Sequence, residues 1–386
     1  MFKKKHAILI SIFVILYPVM KNKPVSQSSV IRIKDIALKA NVSTGTVDRV
    51  IHNRGRVADD VKERVLKIIK ELNYEPNMMA RMLGSKKQYR FAALLPDHNY
   101  DNFWLAPKSG IERAEQDLKQ YGVTVEQFVF DPQDVDAYVA KANEITQKNP
   151  DGILLSPIYY KETLTFFEKW RAAGIPFVLF NTQIADYDPL SYIGQDSYQS
   201  GQVAAKLVHY GQPSPCSILI AHIDEEISNA QHLVKKEQGF KNYFAQNNLD
   251  HQYNILRVEL KRSSQSGFIK KLDEIFEQTL DLKQIFVTTS QAYDVAKYLE
   301  QRHITHIKLI GYDLIPPNLH YLEKGNISFL INQNPKGQGY WGIYQLAEHL
   351  VFKKEVPILK YLPLDIVTKE NLNYFLDEKD PSFPNI

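Results

Sequence analysis

From Tyr89 onward the hydrophobic pattern alternates between short apolar runs and amphipathic helical stretches, and it does so for almost 300 residues. The strand candidates are Phe91–Leu95, Val123–Phe130, Gly152–Ser156, Phe177–Asn181 and Tyr192–Gly194, then Ser217–His222, Asn254–Glu259, Ile285–Thr289, Ile307–Tyr312 and Ile327–Ile331. Helical stretches fall between most of them, as around 111–121, 137–148, 163–173, 200–210 and 234–245. Strands that alternate with helices in this way form parallel sheets covered on both faces. Five strands on either side of about residue 200 imply two similar lobes, with a ligand site at the strand carboxyl ends and between the lobes.

The residues before Tyr89 obey a different rule. From Ile31 to Tyr74 the pattern is helical with little strand signal. Ile36, Ala37 and Ala40 lie at helical spacing in a first segment, and Ser43 is placed to cap a second that carries Val47, Val50 and Ile51. A third, near 59–72, sets Val61, Val65, Leu66, Ile68, Ile69 and Leu72 on one stripe, with Asp59 and Asp60 at its positive N-terminal end. Pro76 closes this unit, residues 77–84 read as a brief further helix, and Gly84 to Gln88 form a polar linker.

Charge separates the same two parts. Residues 31–88 hold 13 Lys/Arg against 7 Asp/Glu, a net of +6, and residues 1–30 add five lysines. The whole chain is +3, so residues 89–386 sum to 3 − 6 − 5 = −8. A small basic module on an acidic body suits a protein that grips a polyanion with one part and keeps the other off it. Two short helices joined through Ala40-Asn41-Val42-Ser43 have the dimensions of a helix-turn-helix, whose second helix enters the DNA major groove. Asn41 tolerates the left-handed turn conformation. The exposed side of the second helix would be Ser43, Thr44, Gly45, Thr46 and Arg49, with Arg49 able to reach guanine or phosphate.

The residues themselves carry a resemblance. Ile33-Lys34-Asp35-Ile36-Ala37, Ala40-Asn41-Val42-Ser43, Thr46-Val47-Asp48-Arg49-Val50 and Leu72-Asn73-Tyr74-Glu75-Pro76-Asn77, followed by Ala80-Arg81 and Leu83, resemble the LacI/GalR family of bacterial transcription regulators. The match is ordered and nearly gap-free over residues 31–84. It implies an all-α helix-turn-helix DNA-binding domain over 31–75 and a hinge helix and linker over 76–88. Asn77 and Ala80 would then join the DNA surface, and Leu83 would wedge into the minor groove, exchanging base stacking for a bent, opened site. Three residues depart from the family: Asp48 where Ser is usual, Gly45 at a base-reading position, and Ala58 in place of a capping Ser or Thr.

More loosely, residues 89–386 resemble the two-lobed α/β type I periplasmic-binding-protein-like domain that the same family uses to bind an effector, a sugar or sugar derivative above all. Asp101-Asn102-Phe103-Trp104 follows the first strand, where such proteins stack aromatic rings on a sugar face. The resemblance carries the pocket to Asp101, Phe103, Trp104, Asn181, Lys236, Thr289, Ser290, Asp313 and Gln333, and makes 194–198 a crossover between lobes. Lys236 stands where Arg is common, Asn181-Thr182 where Asp-Arg is common, and Thr289-Ser290 where Asn-Asp is common, so planar bidentate groups are scarce. Together these features imply a homodimeric regulator of carbohydrate-utilisation genes, bound to double-stranded DNA at a pseudo-palindromic operator and controlled by the effector. Its place is the cytoplasm.

Other classes find less in the chain. Gly337-Gln338-Gly339-Tyr340-Trp341-Gly342 satisfies G-x-G-x-x-G, but only 44 residues follow Gly342, too few for a dinucleotide-binding half, and Tyr340-Trp341 would crowd the pyrophosphate. No H-E-x-x-H, P-loop or G-x-S-x-G occurs, the single cysteine, Cys216, excludes a disulfide framework, and the 11 histidines are scattered. No catalytic residue, metal or cofactor is therefore expected. The competing reading is an exported or membrane-anchored sugar-binding receptor, because Lys3 to Lys5 precede an apolar run from Ala7 to Met20. A basic helix-turn-helix has no use in a receptor. A translation start near Met20 is favoured over a membrane tether, and a cleaved leader comes last.

Overall fold

The computed structural model describes residues 31–51, 54–72, 74, 87–184, 186–224 and 230–375. They belong to two compact units divided between Asn77 and Met78. The expected hinge helix, including Asn77, Ala80 and Leu83, and the apolar N-terminal run lie outside the described residues.

The first unit consists of helices α1 (Ile33–Ala40), α2 (Thr44–Ile51) and α3 (Asp59–Glu71) around a core of Ile36, Ala37, Ala40, Val47, Val50, Val65 and Ile68. The turn after α1 is made by Asn41 at φ 52° and ψ 51°, the left-handed geometry that Asn adopts at little cost. Ser43 caps α2 by accepting a 3.1 Å hydrogen bond from the Thr46 N–H. Ala58 precedes α3 with no side-chain cap, as its methyl group dictates. One expectation fails: Leu66 is not on the α3 stripe but 45% exposed. Val61, Val65, Ile68, Ile69 and Leu72 already satisfy the 3.6-residue period, and Leu66 sits about 100° further round the helix from Val65.

The second unit runs β1 (Tyr89–Pro96), a 3₁₀ turn at Asn102–Trp104, α4 (Leu105–Leu118), β2 (Val123–Phe130), α5 (Val135–Lys148), β3 (Gly152–Leu155), α6 (Tyr160–Ala172), β4 (Phe177–Phe180) and β5 (Ser191–Gly194). It continues with α7 (Ser197–Gly211), β6 (Cys216–Ile223), α8 (Gln231–Gln246), β7 (Tyr253–Leu260), α9 (Gln265–Gln278), β8 (Leu282–Val287), α10 (Ala292–Gln301), β9 (Lys308–Tyr312), α11 (Pro316–Lys324) and β10 (Phe329–Asn332). It ends in α12 (Pro335–Leu350), β11 (Leu359–Tyr361) and β12 (Asp365–Val367). The strands form two sheets, ordered β11-β5-β4-β3-β1-β2 and β12-β10-β9-β8-β6-β7. All pairings are parallel except β10 with β12. Each lobe thus has six strands rather than the expected five. The additional pair, β11 and β12, are three residues each, too short for a period to register.

The chain crosses between lobes at β5 to α7, where the sequence places a crossover, and again at β10 to α12 and β11 to β12. After each of the first two crossings the new helix meets the helix that follows its lobe's first strand. α12 packs on α4 in the first lobe, and α7 packs on α8 in the second. Both contacts are backbone to backbone. A Cβ on Gly110 would lie 2.0 Å from the Lys336 carbonyl oxygen and one on Gly339 2.1 Å from that of Pro107. In the second lobe the corresponding approaches are Gly201 to Lys236 at 2.0 Å and Gly239 to Tyr198 at 1.9 Å. The G-x-G-x-x-G segment is therefore inside a helix, and Gly339 serves helix packing. Gly342 does the same against Leu154.

Candidate DNA and effector sites

On the first unit, packing of Val47 and Val50 into the core turns the other side of α2 outward. Ser43, Thr44, Gly45 and Arg49 are exposed and Thr46 is half-buried. The Ser43 and Thr46 hydroxyls lie 3.0 Å apart, so both are already held in place by the cap. Arg49, Arg56 and Lys62 border one shallow depression of about 370 Å³ beside α2. This gives the exposed face of α2 a basic flank, suited to phosphate oxygens.

The second unit carries a cleft of about 690 Å³ between its lobes. Eight of the nine pocket residues expected from the sequence line it: Asp101, Phe103, Trp104, Asn181, Lys236, Thr289, Ser290 and Gln333. The ninth, Asp313, does not. It is 1% exposed and lies behind Ser290 and Gln333, which donate hydrogen bonds of 2.8 Å each to its Oδ2. Burial pushes its pKa up to about 6 against the pull of Lys236 and of the two hydrogen bonds. Asp313 therefore orients two wall residues rather than forming the wall. Asn181, Asp224 and Asp313 take left-handed φ angles of 61–67° immediately after strands, as Asx residues do where they turn the chain.

The two walls differ in kind. The first lobe contributes Tyr100, Phe103, Trp104, Ile158 and Tyr159, a largely aromatic surface, beside the polar Asp101, Gln133 and Asn181. Phe103 and Trp104 pack edge to face with centroids 4.9 Å apart, and Trp104 meets Phe180 at 6.1 Å. The second lobe contributes polar groups held in fixed geometry. Lys236 Nζ donates to the Thr288 carbonyl at 2.8 Å and sits 3.7 Å from the Tyr312 ring centre. Behind Thr288, His222 contacts the Thr288 hydroxyl at 2.7 Å and Glu237 at 3.0 Å. Hydrogen bonds from His222 and Lys241 hold the Glu237 carboxyl down to about 2. The Thr289 hydroxyl faces this region buried and without a hydrogen-bond partner among the described residues.

Among the described residues, side-chain contacts between the lobes include Gln291 to Asp101 at 2.8 Å, Lys235 to Gln183 at 2.9 Å, Thr182 with His232 at 3.4 Å and Gln195 to Gln333 at 2.6 Å. Sequence reasoning missed His232, Lys261, Arg262 and Gln291 on the cleft wall. They sit in loops or at a helix start, where no periodicity marks them. The signal that existed was the polar run Lys261-Arg262-Ser263-Ser264 directly after an apolar strand, the same strand-end logic that found the others.

A helical unit with an exposed basic recognition face, joined to a two-lobed body with a polar and aromatic cleft, defines a ligand-responsive DNA-binding regulator. Comparison with known proteins gives the family. Residues 32–77 match the family model described as bacterial regulatory proteins, lacI family, and residues 91–354 match the periplasmic binding protein domain. The HTH-type transcriptional regulator MalR of Streptococcus pneumoniae is 26% identical over 344 residues, covering 84% of this chain and 99% of that one. The sucrose operon repressor of Pediococcus pentosaceus is 26% identical and covers 73% of this chain and 82% of its own. A crystal structure described as a LacI transcriptional regulator from Bacteroides fragilis superposes with a TM-score of 0.69 at 32% identity, covering 75% of this chain and all of that one. The chain belongs to the LacI family of bacterial transcriptional regulators, a family of DNA-binding proteins rather than enzymes.

Proposed function

We propose that the protein is a cytoplasmic, homodimeric repressor of carbohydrate-utilisation genes whose affinity for a pseudo-palindromic operator is set by a saccharide bound in the interlobe cleft. In this reading α2 of each protomer enters a major groove through Ser43, Thr44, Gly45, Thr46 and Arg49, while Asn77, Ala80 and Leu83 of paired hinges meet the minor groove between half-sites. The domains divide at 31–75, 76–88 and 89–386. The observation that carries the effector half is the cleft itself: flat apolar surface on one wall and oriented hydrogen-bonding groups on the other are the two requirements of a sugar ring. The sucrose operon repressor points to the same ligand class. Saccharide binding would couple to DNA by a free energy of about 1 to 3 kcal/mol, through differential contacts of the closed and open lobes with the ligand. Among the described residues no helix is long and apolar enough to cross a membrane.

Operator titrations at several salt concentrations test the DNA half. Arg49→Ala is expected to lower affinity and reduce the salt slope by about one, and Leu83→Ala to weaken specific binding with little change in salt slope. Wild-type affinity for both variants would contradict the assignment.

A further inference from the structure

The structure returns to the cleft a planar donor that the family's usual positions lack. Arg262 follows β7 and lines the cleft, with its side chain 28% exposed. Its Nε is paired with Asp224 Oδ2, its own backbone N–H donates to Asp224 Oδ1 at 2.7 Å, and Nη1 donates to the Tyr293 hydroxyl at 2.8 Å. A guanidinium has five N–H donors. Two are used, so three, including both on Nη2, have no partner among the described residues. The Asp224 carboxylate is gripped through both oxygens by Arg262, one by its backbone N–H and one by its Nε. The group is thus pre-oriented, and little rotamer freedom remains to be lost when a ligand arrives.

Charge bookkeeping decides what it faces. Among the described residues the cations on the cleft wall are Lys236, Lys261 and Arg262. Asp101 and Asp224 share that wall, Asp294 lies 4.0 Å from Arg262 Nε, and Asp313 sits just behind, within electrostatic reach of Lys236. The Arg262 guanidinium itself is offset by Asp224, with Asp294 close behind, so this donor brings no unbalanced positive charge to a carboxylate or phosphate on the ligand.

We infer that Arg262 is a specificity-determining contact of the effector, offering paired N–H donors to adjacent hydroxyls of a neutral saccharide, with Asp224 as its positioning residue. This inference rests on the saccharide reading above and adds a residue and a charge state to it. The guanidinium discriminates by geometry, since two parallel donors fit two neighbouring oxygens and a lysine ammonium in the same place does not.

Isothermal titration of the full chain tests it, with glucose, galactose, ribose, arabinose, maltose and sucrose set against glucuronate, gluconate and glucose 6-phosphate. A neutral member is expected to bind, and Arg262→Gln to raise its Kd tenfold or more. Arg262→Lys, which keeps the ion pair with Asp224, should recover only part of that loss, and Asp224→Asn should weaken binding less than Arg262→Gln. If Arg262→Gln does not fold, Arg262→Lys alone carries the test, with a loss of several-fold expected. Tighter binding of an acidic member, or a neutral saccharide bound equally well by wild type and both Arg262 variants, would overturn the inference and leave the saccharide reading standing. Binding of no member at all by the wild type would overturn both.

Discussion

The two lobes of the body share a scaffold and differ in chemistry. Each has six strands, an eight-residue in-register pair at one edge, β1 with β2 and β6 with β7, and a glycine-lined helix crossing. Yet the first lobe faces the cleft mainly with rings, beside Asp101, Gln133 and Asn181, and the second mainly with polar groups, Lys236, Arg262, Thr289, Ser290 and Gln333. The scaffold follows from apolar periodicity and close helix approach. The chemistry follows from a few residues past each strand, which the scaffold holds in place without constraining their identity.

The two lobes should be equally vulnerable at their helix crossings. Gly339→Val and Gly239→Val each place side-chain carbons where a carbonyl oxygen stands about 2 Å from the Cβ. Each should therefore destabilise its lobe by on the order of 3 kcal/mol or more, or prevent folding. Circular dichroism melts of both variants check this, and a wild-type midpoint in either lobe would end the claim that the crossings are equivalent. Next in size is a contrast across the cleft. Trp104→Ala removes a side chain that is 7% exposed and packed against Phe103 and Phe180, at a cost of about 3 kcal/mol of stability, whereas Arg262 variants should act mainly on ligand affinity. Parallel denaturant and ligand titrations separate the two effects. Equal stability losses would mean that both walls are merely core.

Two carboxyls in the second lobe titrate in opposite senses. Glu237 is held down to about 2, so its contribution is complete above its unfolded value near 4.5 and is lost as pH falls from there toward 2. Asp313 is pushed up to about 6, so its cost is absent below about 3.8 and builds as pH rises through 6. Urea midpoints between pH 3 and 8 should show Glu237→Gln flattening the acid limb and Asp313→Asn raising stability above pH 6. Unchanged limbs would contradict these environments. The smallest effect expected is in the first unit, where Ser43→Ala should cost about 1 kcal/mol by removing the α2 cap.

Much of this was legible in the residues. The α1 bounds, the Asn41 turn, ten of the strands and the crossover after Gly194 follow from period, Asx tolerance and strand-end position. Eight cleft residues followed because a family resemblance supplied which strand ends converge. What stayed hidden was short or aperiodic: β11 and β12 offer three residues each, and Arg262 lies in a loop whose partner, Asp224, is 38 positions away. Leu66 adjoins the core stripe in sequence, yet helix geometry turns it outward, and Asp313 follows its strand as the wall residues do but lies behind Ser290 and Gln333.

On this reading one end of the chain reads DNA and the other changes that contact when a saccharide binds. Sequencing the DNA retained by the full-length protein from a random pool, with and without the saccharide identified by titration, tests it directly. The expected result is enrichment of two related half-sites in inverted orientation, with the retained fraction changed about fivefold or more by the saccharide. A pool with no enriched sequence in either condition, or an enriched operator whose retention the bound saccharide leaves unaltered, would contradict it.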